Sequence, residues 1–297
     1  HSTIKYGLAC DRVLGVEYVA ASGELKVANA THNADMYWMA RGAGGNFPGI
    51  VTRFVYHAIS WPELFVYNCF VTDTNGKALL RKWSSELPEM VAHPIYTHLS
   101  TFKDSHKYQV SWICLGCDAT ELAYLNGKVT TIMSVAGSSL TEGCFHSAYQ
   151  EWTQLLLDEA GVEGHIIGDD PRNLLDREQG WGSNHGEAFK TGGYMGTDFQ
   201  FSDAIIDTIH DQVHGSNMVD GIPYGVGVMI YPLGSPIVRS VAPPATAYGP
   251  RNASWVLHFK HQWHANDDSE RLTMLTHHRQ FSQALDHHMP CKGWYNY

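Results

Sequence analysis

The sequence predicts an α+β fold, and three observations carry that prediction. Residues 1–57 read in the order strand, strand, helix, glycine-rich turn, strand. The run Trp255–Trp263 alternates strictly, the period-two signature of a strand with two different faces. Between and around further strand-like runs lie amphipathic helical stretches, an order that fits a mixed sheet covered by helices on one side.

Composition narrows the class. A chain of 297 residues forms one large domain or two ordinary ones and can bury a sizeable core. Its net charge of −10 argues against nucleic acid or an anionic membrane surface as partner. No apolar run reaches the roughly 18 residues that a membrane-spanning helix needs. Six cysteines are too few for a disulfide-built scaffold. Cys114-Leu-Gly-Cys117 has no second pair, and a zinc or redox site would want more partners or a following helix, so ordinary, partly buried cysteines are expected. The sequons Asn29-Ala-Thr31 and Asn252-Ala-Ser254 are compatible with a secreted or extracellular protein.

Taken in order, Tyr6–Asp11 reads as a turn into the β-rich strand Val13–Ala20. Ser22-Gly23 makes a hairpin to Glu24–Ala28. Asn33 or Asp35 caps a short helix ending at Ala40. Gly42, Gly44, Gly45 and Gly49 follow within eight residues, then the strand from Ile50. Glycine at that density lets a ligand approach the backbone, whose bare N–H groups can hold a polar or anionic group; a plain structural corner is the alternative. Beyond residue 58, Thr74–Leu87 is an amphipathic helix, 108–117 a strand, Ser147–Glu159 a helix, and Gly161–Gly196 a loop-rich stretch with Thr191-Gly-Gly-Tyr194 as a turn. Ser202 or Asp203 caps a helix with Ile205, Ile206, Ile209 and Val213 on one face. Val226–Ile230 and Trp255–Trp263 are strands, and Ser269–Leu285 is a helix.

Several motifs fall in one order: Tyr6-Gly-Leu-Ala-Cys-Asp11, a strand with Val16-Glu-Tyr-Val19, the Gly23-Glu24 hairpin, Asn33-Ala-Asp-Met-Tyr-Trp38, and Arg41-Gly-Ala-Gly-Gly-Asn-Phe-Pro-Gly-Ile-Val-Thr52. Together they resemble the second half of the flavin domain in FAD-linked oxidases of the berberine bridge enzyme-like and oligosaccharide oxidase family, with the vanillyl-alcohol-oxidase, PCMH-type fold. The resemblance implies residues 1–57 as the C-terminal part of an FAD-binding domain. It implies 58–285 as a substrate domain with an antiparallel sheet covered by helices, and 286–297 as a segment returning toward the flavin. FAD is the implied cofactor, held by Tyr6, Gly7, Leu8, Asp11, Gly44, Gly45, Asn46, Gly49, Ile50, Val51 and Asn296. The implied partners are a small-molecule substrate and O2 or another electron acceptor. The family's first flavin-binding segment, with its Pro-Gly-Gly region and the His and Cys that often tether FAD, has no counterpart in these residues. A second chain or a further segment is expected to supply it.

The family's floor-strand pattern, Leu/Ile-Gln/Glu-Tyr followed by Trp, is matched by Leu257-His258-Phe259 and Trp263. His258 therefore stands where the family carries a candidate base. Imidazole suits that task, because its ordinary pKa of about 6.5 lies near working pH. A solvent-facing histidine, one of 18, is the competing reading. Val256 and Lys260 share its face and join the implied substrate site. So does His1, by its position after the family's glycine stretch. The ending Trp294-Tyr-Asn-Tyr297 resembles the family's Tyr-x-Asn-Tyr, with Trp294 in place of the first tyrosine. It implies Tyr297 as a catalytic-site hydroxyl and Trp294 as a substrate contact. A flavin-free binding or structural protein with this fold is the alternative function.

A zinc hydrolase is a further alternative, suggested by His210-Asp-Gln-Val-His214. That motif carries Asp where H-E-x-x-H needs Glu and lacks an evident third ligand, so an exposed polar helix face and no metal are expected. His277-His278 and His287-His288 cannot converge on one ion and read as surface.

Overall fold

The computed structural model describes residues 2–102, 107–135, 144–150, 187–215, 226–264, 267–288 and 291–292. It begins with one helical turn, α1 (Thr3–Tyr6), stopped by Gly7 at φ 79°. Glycine takes that left-handed angle without the cost a Cβ would bring. A 3-10 turn over Ala9–Arg12 follows, so the Tyr6–Asp11 stretch, expected as a plain turn, is two helical pieces around a glycine. β1 (Val13–Ala20) and β2 (Leu25–Asn29) form the expected hairpin around Gly23. α2 (Ala34–Ala40) has Asn33 at its N-cap, but the Asn33 amide donates to the Val27 carbonyl at 2.7 Å instead of capping the helix with its oxygen. β3 (Gly49–Tyr56) pairs with β1, giving an antiparallel sheet in the order β2-β1-β3. Val13, Val16, Tyr18 and Ala28 are buried there, with Met36, Tyr37, Phe47 and Val51 against them.

The second sheet uses β4 (Leu64–Thr72), α3 (Gly76–Met90), β5 (Ile95–Phe102), β6 (Lys107–Leu115), α4 (Ala119–Val135), β7 (Cys144–Tyr149) and β8 (Glu187–Gly196). It continues through α5 (Asp203–Val213), β9 (Val226–Pro232), α6 (Pro236–Arg239), β10 (Trp255–His264), α7 (Asp268–Asp286) and β11 (Cys291–Lys292). Its strands run β11-β8-β10-β9-β5-β6-β4-β7, and every pairing is antiparallel, not mixed. One face is the core: Trp83 of α3, Val129 of α4, Ile209 of α5 and Phe281 of α7 bury against Trp112, Leu257 and Phe259. Ser202 caps α5 as expected, its hydroxyl accepting from the Ile205 N–H.

Three expectations are corrected. Residues 187–196 are a strand, not loop, because Gly192 and Gly196 face aromatic rings on β10: an added Cβ would lie 2.4 Å from Phe259 and 2.2 Å from Trp255. Glycine inside a strand marks such close approach. Ser147–Tyr149, expected as the start of a helix, is extended and pairs with β4, while 151–159 lie outside the described residues. The cysteines are not ordinary: Cys69 and Cys144, register partners on β4 and β7, form one disulfide, and Cys114 and Cys117 form another. Gly116, at φ 62°, reverses the chain between the latter pair, and α4 does follow it.

Candidate functional site: the floor strand and the glycine wall

β10 alternates as the sequence requires. Trp255, Leu257 and Phe259 enter the core, and His261 is fully buried beside them. Val256, His258, Lys260 and Gln262 point from the other face. Their cross-strand neighbours leave room around the polar pair: Gly193 and Met229 flank His258, and Thr191 and Gly227 flank Lys260. Each of the two thus has a glycine on one side only, Gly193 on β8 for His258 and Gly227 on β9 for Lys260, which thins the side-chain cover there. Burial, and secondarily the Lys260 ammonium, pushes the His258 imidazole below its ordinary value. The ring is therefore neutral at neutral pH and can accept a proton.

The first motif joins the packing around this strand. Leu8 packs against the buried cluster of Met195, Leu233, Ala253 and Val256, as do Tyr231 and Tyr248. His258 is the next residue on the face of Val256, about 7 Å along the strand. Tyr6, Gly7 and Asp11 line a cleft of about 320 Å³ with Arg12, His57, Ile237 and Ser240. Burial raises the Tyr6 hydroxyl, which Arg12 partly opposes.

The glycine turn forms an open wall. Gly44, at φ 57°, begins a 3-10 turn through Asn46, and no atom lies within 4 Å of a Cβ placed on Gly45. Ile50 is 73% exposed, Val51 is half-buried, and Gly49 lies close to Tyr18 and the Val19 carbonyl. An uncovered backbone with exposed Ile50 beside it fits one side of a flavin site. Gly42 has a different duty: at φ 131°, its Cβ position is 2.4 Å from the Tyr248 nitrogen, so only glycine allows this contact.

That contact reveals residues that sequence reasoning missed. The loop 243–253 reaches both candidate flavin segments. Trp38 donates to the Pro244 carbonyl at 2.8 Å, and Arg41 donates to the Ala245 carbonyl at 3.4 Å. Arg251, 1% exposed, grips Asp11 with two bonds of 2.7 and 2.6 Å and reaches the Thr246 hydroxyl at 2.6 Å. Asp11 thus makes its described ion pair with protein. The one available signal was an acid in a motif that holds no cation to match it.

The histidine pairs also differ from expectation. His210 and His214 are half-buried, bonded to the Tyr108 hydroxyl at 3.0 Å and the Thr101 hydroxyl at 2.6 Å, and do not form an exposed polar face. His277 is 3% exposed, and its Nδ1 lies 2.7 Å from the His261 Nε2, so the pair 277–278 is not surface; His287 and His288 are exposed. Among the described residues, no group of three or more His, Cys, Asp or Glu could hold a metal ion. No described helix is long and apolar enough to cross a membrane. His1, Trp294, Asn296 and Tyr297 lie outside the described residues.

The architecture is that of the berberine bridge enzyme-like and oligosaccharide oxidases. The wild-type Physcomitrella patens BBE-like 1 structure superposes with a TM-score of 0.73 at 20% identity, covering 96% of this chain and 56% of that one. Berberine bridge enzyme in complex with (S)-reticuline gives 0.74 at 14% identity, over 98% and 53%. Xylooligosaccharide oxidase from Myceliophthora thermophila with xylobiose gives 0.71 at 17%, over 95% and 56%. The chain thus spans about half the length of these structures. No family model matches it. Among curated sequences, it is similar to the FAD-linked oxidoreductase nodO of Hypoxylon pulicicidum, 51% identical over 49 residues, 16% of this chain and 11% of that protein. The xylooligosaccharide oxidase of Thermothelomyces thermophilus is 34% identical over 85 residues, 28% of this chain and 17% of that protein.

Proposed function

We propose that the chain is the substrate-domain portion, with part of the flavin site, of an FAD-dependent oxidoreductase. It would move hydride from a C–H bond of an alcohol, sugar or secondary metabolite to flavin N5. O2 or another acceptor would take the electrons onward. The observation that carries this reading is the packing of Leu8, in the flavin-type motif, against the buried cluster that holds Val256, two residues before His258 on the floor strand. Relatives called FAD-linked oxidoreductase and xylooligosaccharide oxidase support the same chemistry.

Bound FAD supplies the two-electron chemistry; the protein supplies position and proton handling. Gly44, Gly45, Asn46, Ile50 and Val51 offer one wall. Lys260 and the glycine-flanked floor orient the substrate. His258, neutral through burial, accepts the hydroxyl or amine proton at an imidazole nitrogen. In this reading Tyr297 adds a hydroxyl to the site, Asn296 a flavin contact, and His1 and Trp294 substrate contacts.

The small sheet leaves Leu14, Val27, Phe54 and Tyr56 exposed. That supports a further flavin-binding segment, on this polypeptide or a second one, as their cover. Two disulfides and the exposed Asn252 of a sequon support secretion through an oxidising compartment.

The first test is the visible flavin band of the native protein; a colourless preparation sinks the oxidase reading. In flavin-loaded protein, His258→Ala slows flavin reduction by substrate at least about tenfold. An unchanged rate removes His258 as the base.

A further inference from the structure

We propose that Arg251 is a positioning residue, setting the motif Tyr6–Asp11 against the floor strand β10. The proposal rests on the flavin reading for its functional consequence and on the described geometry for its mechanics.

Arg251 sits in the loop that leads into β10, four residues before Trp255. Ala253 joins the Leu8–Val256 cluster, and the Ser254 N–H donates to the Gly196 carbonyl at 2.7 Å, so the loop is fixed to the sheet at this end. From that anchor the guanidinium crosses to Asp11 with a two-bond fork while its plane lies 5.2 Å from the Tyr248 ring centre. Tyr248, in the same loop, lies against Gly42 at the start of the glycine wall. Asp11 follows Leu8 within one 3-10 turn, its N–H bonding the Leu8 carbonyl at 3.0 Å. One loop therefore holds the first motif, the glycine wall and the floor strand together.

The chemistry requires a fork. A planar guanidinium fixes both the distance and the direction of a carboxylate, whereas an ammonium fixes distance alone. Arg251 also takes Thr246, a residue of its own loop, so motion of the loop and of the Asp11 segment is coupled through one buried group. Asp11 is thereby reassigned from the flavin to the joint between the two units.

The test uses three full-chain variants. Arg251→Lys keeps the charge and removes the fork; Arg251→Met removes both; Asp11→Asn removes the carboxylate. Hydrogen exchange of the chain itself should rise at residues 6–12 in all three while β9 and β10 keep their protection. In flavin-loaded protein, Arg251→Lys should lower the limiting rate of flavin reduction about tenfold, with substrate affinity within about twofold, because misplacement acts on the reacting geometry. Arg251→Met should lower it further. If the methionine variant does not fold, lysine and asparagine decide the matter. Unchanged exchange at 6–12 in those two overturns the proposal, as does a rate loss in Arg251→Lys that comes wholly from substrate affinity. A wild-type protein that never binds flavin removes the flavin reading, while the exchange measurement still decides the joint.

Discussion

The three-stranded unit and the eight-stranded sheet bury their apolar residues to very different extents. The large sheet hides its own: Trp83, Trp112, Trp255 and Phe259 are all at most 2% exposed beneath four helices. The small unit covers one cluster around Tyr18 and leaves Leu14, Leu25, Ile50, Phe54 and Tyr56 between 41% and 73% exposed. The first is a closed core; the second is an apolar face left exposed, which the proposed function reads as one side of a contact. The same contrast runs through the sequence. Motifs specific enough to resemble a family are concentrated in the small unit and its glycine turn, and the region that supplies most of the packing carries few.

The sharpest way to break this comparison is to truncate an aromatic in each unit. Trp112→Ala should destabilise the chain by about 3–5 kcal/mol, the range for emptying a buried large side chain. Phe54→Ala should change stability by no more than about 0.5 kcal/mol, as at an exposed site. Denaturant midpoints of the two variants read both. Equal losses would mean that the small unit is closed in solution, and the comparison would fail.

Next in size is the bond between β4 and β7. It closes a loop across a sequence separation of 75 residues and sits at the edge of the large sheet. Replacing Cys69 and Cys144 by Ala should cost about 2–4 kcal/mol, mainly through the wider unfolded ensemble. Cys114–Cys117, with a separation of 3, constrains the unfolded chain far less, and its removal should cost less. Melting temperatures of the two double variants under oxidising conditions test the order; a larger loss for the short loop would contradict it.

What could be read in advance follows from how far each feature is encoded locally. The alternation in Trp255–Trp263, the cap at Ser202 and the hairpin at Gly23 each depend on neighbours within a few residues, and each appears in the structure. β8 was hidden because its glycines resemble a turn, yet they exist to admit Trp255 and Phe259 from another strand some sixty residues on. The Cys69–Cys144 bond and the Asp11–Arg251 pair, 240 residues apart, are set by topology, which no local pattern states. In the candidate site, His258 could be placed on a face by alternation and given a role by resemblance. Its depressed pKa and its single glycine neighbour, Gly193, emerge only once β8, β9 and β10 lie side by side.

The large unit also carries a buried, acid-sensitive histidine cluster. His261, fully buried on β10, lies between two rings of α7: its Nε2 is 2.7 Å from the His277 Nδ1, and its Nδ1 is 3.1 Å from the His278 Nδ1. Burial, then the neighbouring imidazoles, drives His261 strongly down, and burial with Lys190 pushes His278 down to about 4. From β8 the residue facing His261 is Lys190, and from β9 it is Val226, so neither neighbouring strand offers a carboxylate at that register. Both histidines are neutral when folded and take up protons near pH 6.5 when unfolded. The unfolded chain therefore binds more protons below that pH, and stability falls as pH drops. His261 alone should remove about 1.4 kcal/mol per pH unit below 6.5, with no effect above it. His261→Leu gives up this term, so the stability difference between wild type and variant should shrink by about 1 kcal/mol between pH 6.5 and 5.5 in urea unfolding. A difference that stays constant over that interval would mean that the buried ring is already charged, held by a partner on the helix side of the sheet.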